Sequence, residues 1–580
     1  MKSLKKLFQY VKPYTIFAIL GPLLMCVEVA MDLLQPTIMQ HMIDVGIANH
    51  DHAYVIKLGL FMLLTAFIGL IGGVGCTIYS TKAAVNFAAD IRRDVFKKTA
   101  KFSSGNIDSF GAGKLITIVT NDVTAVQQAL MMTLRIFVRG PLLFIGAVVI
   151  VWFTARELFP VLFVVIPILL VLIYYFSSKS GKLFVKVQVA MDRVNTKLQE
   201  TFAGIRVIKA FNRQGYEKET FRDVNDTLTK RNMSAEQVIL TLMPIMLFIV
   251  NLGVVAGMWM GAIKVNEGTL QVGVILAFIN YLTIIMHGLM TSSHVLMQIT
   301  RSFTSANRIV QVLDTEIEIR ESETTDPSLE IRGNVEFRNV NFSYSKNGEY
   351  VLKNISFRTK AGETIGIIGS TGSGKSTLVK LIARLYDPDT GDIFIDGVNS
   401  KDYSLKRLRE SIGFVPQKAM LFSGMIEDNL RFGKEMAKVD EMKEAASSAV
   451  ALDFIEKLEG EFTHVLMQGA TNLSGGQKQR LSMARAFIRQ PNILVLDDST
   501  SALDALSEAS VQQKLKERYP RTTKFIISAK VSSIIAADQI LVMNDGMIEA
   551  LGSHEELLIK SDVYREIYET QVGRRVLSYE

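Results

Sequence analysis

The sequence predicts two domains: an all-α membrane domain with six helices, followed by an α/β domain that includes a helical subdomain. The first half of the chain contains several apolar stretches of roughly 20 residues, and a helix of that length can cross a bilayer. The second half has a charged, globular composition. The 580 residues therefore divide into a membrane half and a soluble half.

Residues 1–14, MKSLKKLFQYVKPY, are predicted to form a basic amphipathic helix that lies on the membrane surface and ends at Pro13. A frayed polar tail is the alternative interpretation. The segment lacks the pattern of a cleavable signal peptide, because no small-residue cleavage site follows a short apolar core. It is therefore expected to be an elbow helix before the first span.

The charge of the loops predicts the orientation of the spans. The predicted spans cover residues 15–40, 55–80, 131–155, 157–178, 238–263 and 269–297. The loops after the second and fourth spans are rich in Lys and Arg, whereas the other connections carry little more than Lys57, Arg156 and Lys264. Because positive charge is retained on the cytoplasmic side, both termini are expected inside the cell.

The two basic loops are predicted to be helical extensions of the spans. Residues 81–103 and 181–210 keep apolar residues at helical spacing among their charges. Each extension is expected to end in a polar tip suited to contact another domain, around residues 111–122 and 211–217. The formal net charge of +7 reflects these loops and does not require a nucleic acid partner. Cys26 and Cys76 lie in apolar stretches and offer neither a disulfide nor a metal site.

Several ionisable residues fall inside the predicted spans. Glu28 and Asp32 lie four residues apart in the first span. Arg135 and Arg139 have the same spacing in the third, and His287 lies in the sixth. Charges at membrane depth are costly and usually face a cavity or a partner. The residues could line a polar, acid-lined cavity that favours cationic amphiphiles. Alternatively, they form ion pairs between helices or lie near the membrane surface.

Residues 362–380, GETIGIIGSTGSGKSTLVK, combine an apolar strand with a glycine-rich loop that opens a helix. The loop fits the pattern G-x-x-x-x-G-K-[ST], in which backbone N–H groups and the helix N-terminus surround phosphates. Lys375 is expected to reach the β- and γ-phosphates of a nucleotide, and the Ser376 hydroxyl to bind Mg²⁺. The predicted nucleotide-binding residues of this loop are Gly369, Ser370, Thr371, Gly372, Ser373, Gly374, Lys375, Ser376 and Thr377.

A second strand, ILVLDD at 493–498, ends in two aspartates, of which Asp497 is expected to hold Mg²⁺. Between the two motifs, a second glycine-containing helix start could also bind an anion. It consists of Leu473, Ser474, Gly475, Gly476 and Gln477. One domain does not need two such sites for one triphosphate. We therefore expect this element to face a nucleotide held by another copy of the domain.

These motifs resemble those of ATP-binding cassette (ABC) exporters, specifically a half-transporter. The sequence LSGGQKQRLSMARA at 473–486 resembles the family signature. The resemblance implies that Tyr344 stacks on adenine, Gln417 contacts Mg²⁺ and Asp504 faces the partner subunit. It also implies three regions after the elbow helix: a transmembrane domain at 15–314, a linker at 315–331 and an ATP-binding cassette at 332–580.

Three positions depart from the family pattern. Asp498 stands where the family usually has a glutamate as general base, and Ala529 stands where it has a histidine that reaches the γ-phosphate. Gln468 replaces a glutamate before the signature. The resemblance therefore implies a degenerate site that binds ATP but hydrolyses it slowly. The intact signature would serve a partner that carries the glutamate and histidine, in a heterodimer.

The expected function is ATP-driven export of hydrophobic or cationic small molecules, of the multidrug type. Two alternatives remain open. The cargo could be a lipid or a peptide, or the chain could be a regulatory ATP-binding membrane subunit that hydrolyses nothing. The sequence does not identify the cargo.

Overall fold

The computed structural model describes residues 2–319, 330–345 and 348–572. They form two compact units, one of residues up to Ala100 with Ala112–Thr315, the other of Lys101–Gly111 with residues from Glu316 onward. Residues 101–111 were expected in the membrane domain, but they belong to the soluble unit. Most of the expected linker, residues 320–329, lies outside the described residues.

Residues 2–319 are α-helical almost throughout. The helices are α1 (Lys2–Leu7), α2 (Thr15–His41), α3 (His52–Ala100), α4 (Ser104–Phe110), α5 (Ala112–Thr117), α6 (Val123–Met132), α7 (Val138–Thr154), α8 (Phe159–Ala203), α9 (Ile205–Ala210), α10 (Gln214–Asn266) and α11 (Val272–Asp314). Of these, only α4 belongs to the soluble unit. Six helical stretches of the described residues are long and apolar enough to cross a membrane, which confirms the six predicted spans.

The membrane unit leaves large apolar surfaces uncovered. On α3, Leu63 and Phe67 are each at least 60% exposed. Residues such as Phe278 and Leu162 are instead fully buried in the centre of the unit. A continuous apolar exterior of this kind is suited to lipid and not to water. The unit is therefore a multi-pass membrane domain.

One local prediction differs from the structure. Pro13 does not end the N-terminal helical segment, because a 3-10 helix over Phe8–Tyr14 leads directly into α2. The expected polar tip at 111–122 is helical: it contains α5 and a π-helical segment, Ile118–Asp122. The Asp122 carboxylate, only 2% exposed, accepts hydrogen bonds from Ser305 Oγ at 2.8 Å and Arg308 Nε at 2.7 Å. These bonds hold this helical segment against α11.

The soluble unit is built on β-sheets. The strands are β1 (Val335–Phe342), β2 (Leu352–Thr359), β3 (Thr364–Gly369), β4 (Thr390–Ile395), β5 (Val398–Asn399), β6 (Ile412–Val415), β7 (Gly424–Met425), β8 (Val465–Leu466), β9 (Ile493–Asp497), β10 (Thr523–Ile527), β11 (Gln539–Asn544) and β12 (Met547–Gly552). A six-stranded sheet has the order β12-β11-β3-β10-β9-β6, and an antiparallel four-stranded sheet has the order β2-β1-β4-β5. Within the larger sheet only β12 is antiparallel to its neighbour.

Some helices cover the larger sheet, and others form the helical subdomain, which lies between β6 and β9 in the sequence. They are α12 (Lys375–Ile382), α13 (Leu405–Glu410), α14 (Ile426–Arg431), α15 (Val439–Ser448), α16 (Leu452–Ile455), α17 (Gly475–Phe487), α18 (Ala505–Arg518), α19 (His554–Lys560) and α20 (Asp562–Val572). Strands β9 and β10 are buried along their whole length, as expected for central parallel strands. Because β3, β10 and β9 run parallel, their carboxyl ends lie at one edge of the sheet.

Candidate functional site

The phosphate loop follows β3 and can adopt its conformation only with glycine at key positions. Gly369 has φ +152°, and a Cβ there would lie 2.1 Å from the Met543 carbonyl oxygen. Gly374 has φ +95° and precedes α12 in the left-handed region. Both positions exclude ordinary side chains. The backbone between them is therefore free to surround a ligand.

Lys375 lies inside this loop. Its Nζ donates to the Gly369 carbonyl at 2.9 Å and to the Ser370 carbonyl at 2.7 Å. Burial lowers the pKa of Lys375, while the carboxylates of Asp498 and Asp497 raise it. Ser373 Oγ is buried and has no hydrogen-bond partner among the described residues. The loop thus has a cation and an unsatisfied hydroxyl available for phosphate oxygens.

Asp497 and Ser376 form the expected metal-binding pair. Ser376 Oγ donates to Asp497 Oδ1 at 2.6 Å, and Asp497 is only 4% exposed. Burial raises the pKa of Asp497 above its ordinary value. One hydroxyl and one carboxylate fit Mg²⁺, which takes its remaining ligands from water and nucleotide phosphates. No cluster of three or more His, Cys, Asp or Glu side chains suited to a metal occurs in the part of the chain that the structure describes.

Asp498 lies beside this pair in a left-handed conformation, with φ +45°. Its N–H donates to the Ile527 carbonyl at 3.1 Å, which fixes the turn after β9 to the end of β10. Gln417 Nε2 donates to Asp498 Oδ2 at 3.1 Å. The structure therefore brings Gln417, Asp498 and Asp497 together at the edge where the phosphate loop begins.

Ala529 follows β10 at the same edge and is exposed. It contributes only a methyl side chain, and its carbonyl accepts a hydrogen bond from Gln571 Nε2 at 2.7 Å. Gln571 Oε1 also accepts from Val531 N–H at 2.8 Å. Gln571 on α20 thus holds residues 529–531 in place from a position 40 residues further along the chain. Sequence reasoning missed Gln571, because it lies outside every recognisable motif.

Tyr344 is near the phosphate loop and half exposed. Its hydroxyl lies 3.0 Å from Thr377 Oγ1, and its ring meets Tyr386 edge-on with the centroids 5.3 Å apart. The Tyr386 hydroxyl donates to an Asp108 carboxylate oxygen on α4. Burial and this carboxylate raise the pKa of Tyr386. No sequence pattern indicates the contact between Tyr386 and Asp108, which are 278 residues apart.

The signature residues form a helix start at a different place. Ser474 caps α17, because its Oγ accepts from Gln477 N–H at 3.3 Å and its own N–H donates to Gln477 Oε1 at 2.8 Å. A Cβ on Gly475 would meet nothing within 4 Å, so this helix start is open. Leu473 is buried beneath it, and Gly476 follows in the first turn. Within the described residues, no hydrogen bond joins this element to the phosphate loop.

Asp504 caps the N-terminus of α18. Its Oδ1 accepts from Ser507 N–H at 2.9 Å and its Oδ2 from Ser507 Oγ at 2.7 Å. The hydrogen bond from the Ser507 backbone N–H lowers the pKa of Asp504 most, and the bond from the Ser507 hydroxyl lowers it further. Capping accounts for this carboxylate within the chain, and its expected position facing a partner stays a prediction.

The charged residues of the membrane domain form ion pairs beside a cavity. Arg139 Nη1 lies 3.0 Å from Glu28 Oε1, and Arg139 Nη2 lies 3.0 Å from Asp32 Oδ2. Arg135 lines the same cavity. The structure therefore shows the expected ion pairs between helices, and Glu28 and Asp32 also line the cavity. The preference of this cavity for cationic amphiphiles stays a prediction. His287 is exposed on α11 and does not line this cavity.

A phosphate-loop ATPase domain joined to six membrane-spanning helices defines an ATP-driven membrane transporter. Comparison with known proteins identifies the class further. Residues 18–289 match the family described as ABC transporter transmembrane region, and residues 352–501 match the family described as ABC transporter. The chain belongs to the ABC transporter family, as a half-transporter with one membrane domain and one ATP-binding domain.

Similar proteins match nearly the whole chain. The uncharacterized ABC transporter ATP-binding protein YfiB of Bacillus subtilis is 40% identical, covering 98% of this chain and 99% of its own. The ATP-dependent lipid A-core flippase of Pasteurella multocida is 28% identical, and the match covers 99% of this chain and 98% of the flippase. A bacterial Atm1-family ABC exporter, solved with ATP bound, has the same fold, with a TM-score of 0.79 and 24% identity over 98% and 99% of the two chains.

Proposed function

We propose that this protein is one subunit of a heterodimeric multidrug-type exporter for hydrophobic or amphipathic compounds. In this proposal the chain binds ATP and Mg²⁺, hydrolyses ATP slowly at its own site, and contributes its signature to a faster site on the partner. The partner supplies the missing glutamate and histidine. Both termini and the ATP-binding domain lie in the cytoplasm of a bacterial cell.

The observation that carries the proposal is the pair of substitutions at the sheet edge, Asp498 and Ala529. An aspartate withdraws the carboxylate by about 1.5 Å, the length of one C–C bond, compared with a glutamate. A displacement of about 1 Å can lower a catalysed rate roughly 100-fold. Gln417 already bonds the shorter carboxylate. Ala529 has no proton to donate to the γ-phosphate.

Nucleotide binding does not depend on those two residues. The phosphate loop has Lys375 and the Ser373 hydroxyl available for phosphate oxygens. Ser376 and Asp497 are placed to bind Mg²⁺. Tyr344 supplies an aromatic ring. This combination supports a site that holds ATP without turning it over quickly.

The open start of α17 supports a contribution to a second site. Ser474 and Gln477 preorganise the first turn, and Gly475 leaves its N–H groups accessible. In the cycle implied by the family resemblance, two ATP molecules bring the two ATP-binding domains together, and hydrolysis at the competent site resets the transporter.

The test is ATP turnover by the purified chain alone and by the complex with its partner, the candidate partner being the half-transporter encoded next to it. Turnover should be low for the chain alone and high for the complex, and candidate amphiphiles should stimulate it. Fast turnover by the chain alone, lost in Asp498→Asn, would refute the proposal.

Lipid transport is the second candidate, because two relatives bear the name of a lipid A-core flippase. Stimulation by lipids and not by drugs would favour it. Stimulation by peptides would favour a peptide exporter. A complex that binds ATP but has no turnover with any amphiphile would favour a regulatory membrane subunit.

A further inference from the structure

The membrane domain contains a cavity of about 570 Å³ between α2, α3 and the segment before α7. Gly69 and Gly73 form part of its wall, and a Cβ on Gly73 would lie 2.8 Å from Glu28 Oε2. The absence of side chains at these positions makes the space. Leu70, Val74 and Ile78 form an apolar strip along the α3 wall, spaced four residues apart and each about half exposed or more.

The carboxylates of this cavity already have a counter-charge. Arg139 lies between Glu28 and Asp32 and bonds one oxygen of each at 3.0 Å. The remaining negative charge is spread over two hydrogen-bonded groups. Gln35 points its amide N–H groups elsewhere, to the Met62 carbonyl at 3.2 Å and to Thr65 Oγ1 at 3.0 Å.

Arg135 differs from Arg139. It lies one turn earlier, in the π-helical segment Thr133–Phe137, and its exposed side chain lines the cavity. It forms no ion pair or hydrogen bond with any of the described residues. A guanidinium at membrane depth without a counter-ion is costly, and such residues usually mark substrate sites. Irregular π turns also occur often at functional sites.

We propose that this cavity binds the anionic group of an amphipathic molecule, a phosphate or carboxylate on a hydrocarbon chain, through Arg135. The chain of the ligand then lies along Leu70, Val74 and Ile78. This inference rests on the proposed export function and names the class of cargo. A cationic ligand would leave Arg135 without a counter-ion, so the preference is for anionic and not cationic amphiphiles.

The test is binding of radiolabelled dodecyl phosphate to the full chain in dodecyl maltoside, a non-ionic detergent, alone and with its partner, without ATP. Arg135→Gln should weaken binding roughly 10- to 100-fold, because a hydrogen bond to a charged group contributes about 1.5–3 kcal/mol. Arg135→Lys should retain most of the affinity. Arg135→Glu should bind dodecyltrimethylammonium in place of dodecyl phosphate. Arg222→Gln removes an exposed arginine that does not line the cavity and is the matched control.

Added phosphatidylglycerol distinguishes two sources of the same chemistry. If it displaces dodecyl phosphate, the ligand is a lipid headgroup of the bilayer. If it does not, the ligand is a free amphiphile. Equal binding by Arg135→Gln and the unmodified chain, or binding of dodecyltrimethylammonium but not of dodecyl phosphate to the unmodified chain, would overturn the inference. Because ATP is absent, this result is independent of which subunit hydrolyses it, so the exporter proposal and this inference can fail separately.

Discussion

The phosphate loop and the ends of β9 and β10 lie at one edge of the same sheet but differ in the chemistry they carry. In the loop, glycine at 369 and 374 permits a backbone that no other residue could adopt, and Lys375 is held within it. At the strand ends, Asp498 has a short carboxylate bonded to Gln417, and Ala529 has no polar side chain. In the proposed function, this difference separates the residues that hold a triphosphate from those that would cleave it.

The two groups of residues also differ in how they are stabilised. The loop is held by its own backbone and by the pairing of β3 with β10 and β11. Residues 529–531 depend on Gln571 from the C-terminal helix. The four experiments below test this contrast, from the largest expected effect to the smallest.

The strongest test compares the two sites of the complex directly. Changing the catalytic glutamate of the proposed partner to glutamine should lower ATP turnover roughly 100-fold, because a preorganised group at the reacting phosphate is lost. Asp498→Asn in this chain should lower turnover far less, because its site contributes little hydrolysis. Phosphate release at saturating ATP is the measurement. Equal losses from the two substitutions would remove the contrast between the sites.

The second test restores the missing groups. With the partner's glutamate changed to glutamine, Asp498→Glu combined with Ala529→His should raise turnover by up to roughly 100-fold. The gain requires that the signature sequence of the partner can complete the ATP site of this chain. Adding Lys375→Ala to the same background should abolish the gain, since the nucleotide is no longer held. A gain that persists without Lys375 would show that it arises elsewhere.

The third test concerns binding alone. Tyr344→Ala should weaken ATP–Mg²⁺ binding to the purified chain about tenfold, because stacking of an aromatic ring on a base contributes about 1–3 kcal/mol. Tyr344→Phe keeps the ring and removes only the hydroxyl next to Thr377, so it should bind almost normally. Equilibrium dialysis with labelled ATP measures both. If Tyr344→Phe binds as weakly as Tyr344→Ala, the hydroxyl matters and not the ring.

The smallest expected effect is on stability without ligand. Because burial raises the pKa of Asp497, the folded state disfavours its ionised form. This destabilisation is fully present above the raised folded-state pKa and disappears as the pH falls below the pKa of the unfolded chain. Asp497→Asn should therefore raise the Tm at pH 7 by about 1–3 °C, and less in acid.

Differential scanning fluorimetry at a fixed scan rate measures this change, with the exposed Glu435→Gln as control. A lower Tm for Asp497→Asn at pH 7 would mean that the hydrogen bond from Ser376 to the carboxylate outweighs the effect of burial.

The sequence by itself determined the class of the protein, because the responsible features are local. Six apolar stretches specify six spans, since the length of an apolar helix must match the bilayer. The phosphate loop is likewise specified within one strand, one turn and one helix. The placement of Asp497 and Asp498 at the sheet edge is predictable because they come at the end of a buried strand.

The tertiary structure decided which distant groups meet. Arg139 lies 107 residues from Asp32 and pairs with it, which sequence spacing could not show. The contacts of Tyr386 with Asp108 and of Gln571 with residues 529–531 are of the same kind. Such pairs depend on how helices rotate and pack against one another. The local pattern of a segment fixes its secondary structure and its apolar face, but it does not fix the residue that lies opposite.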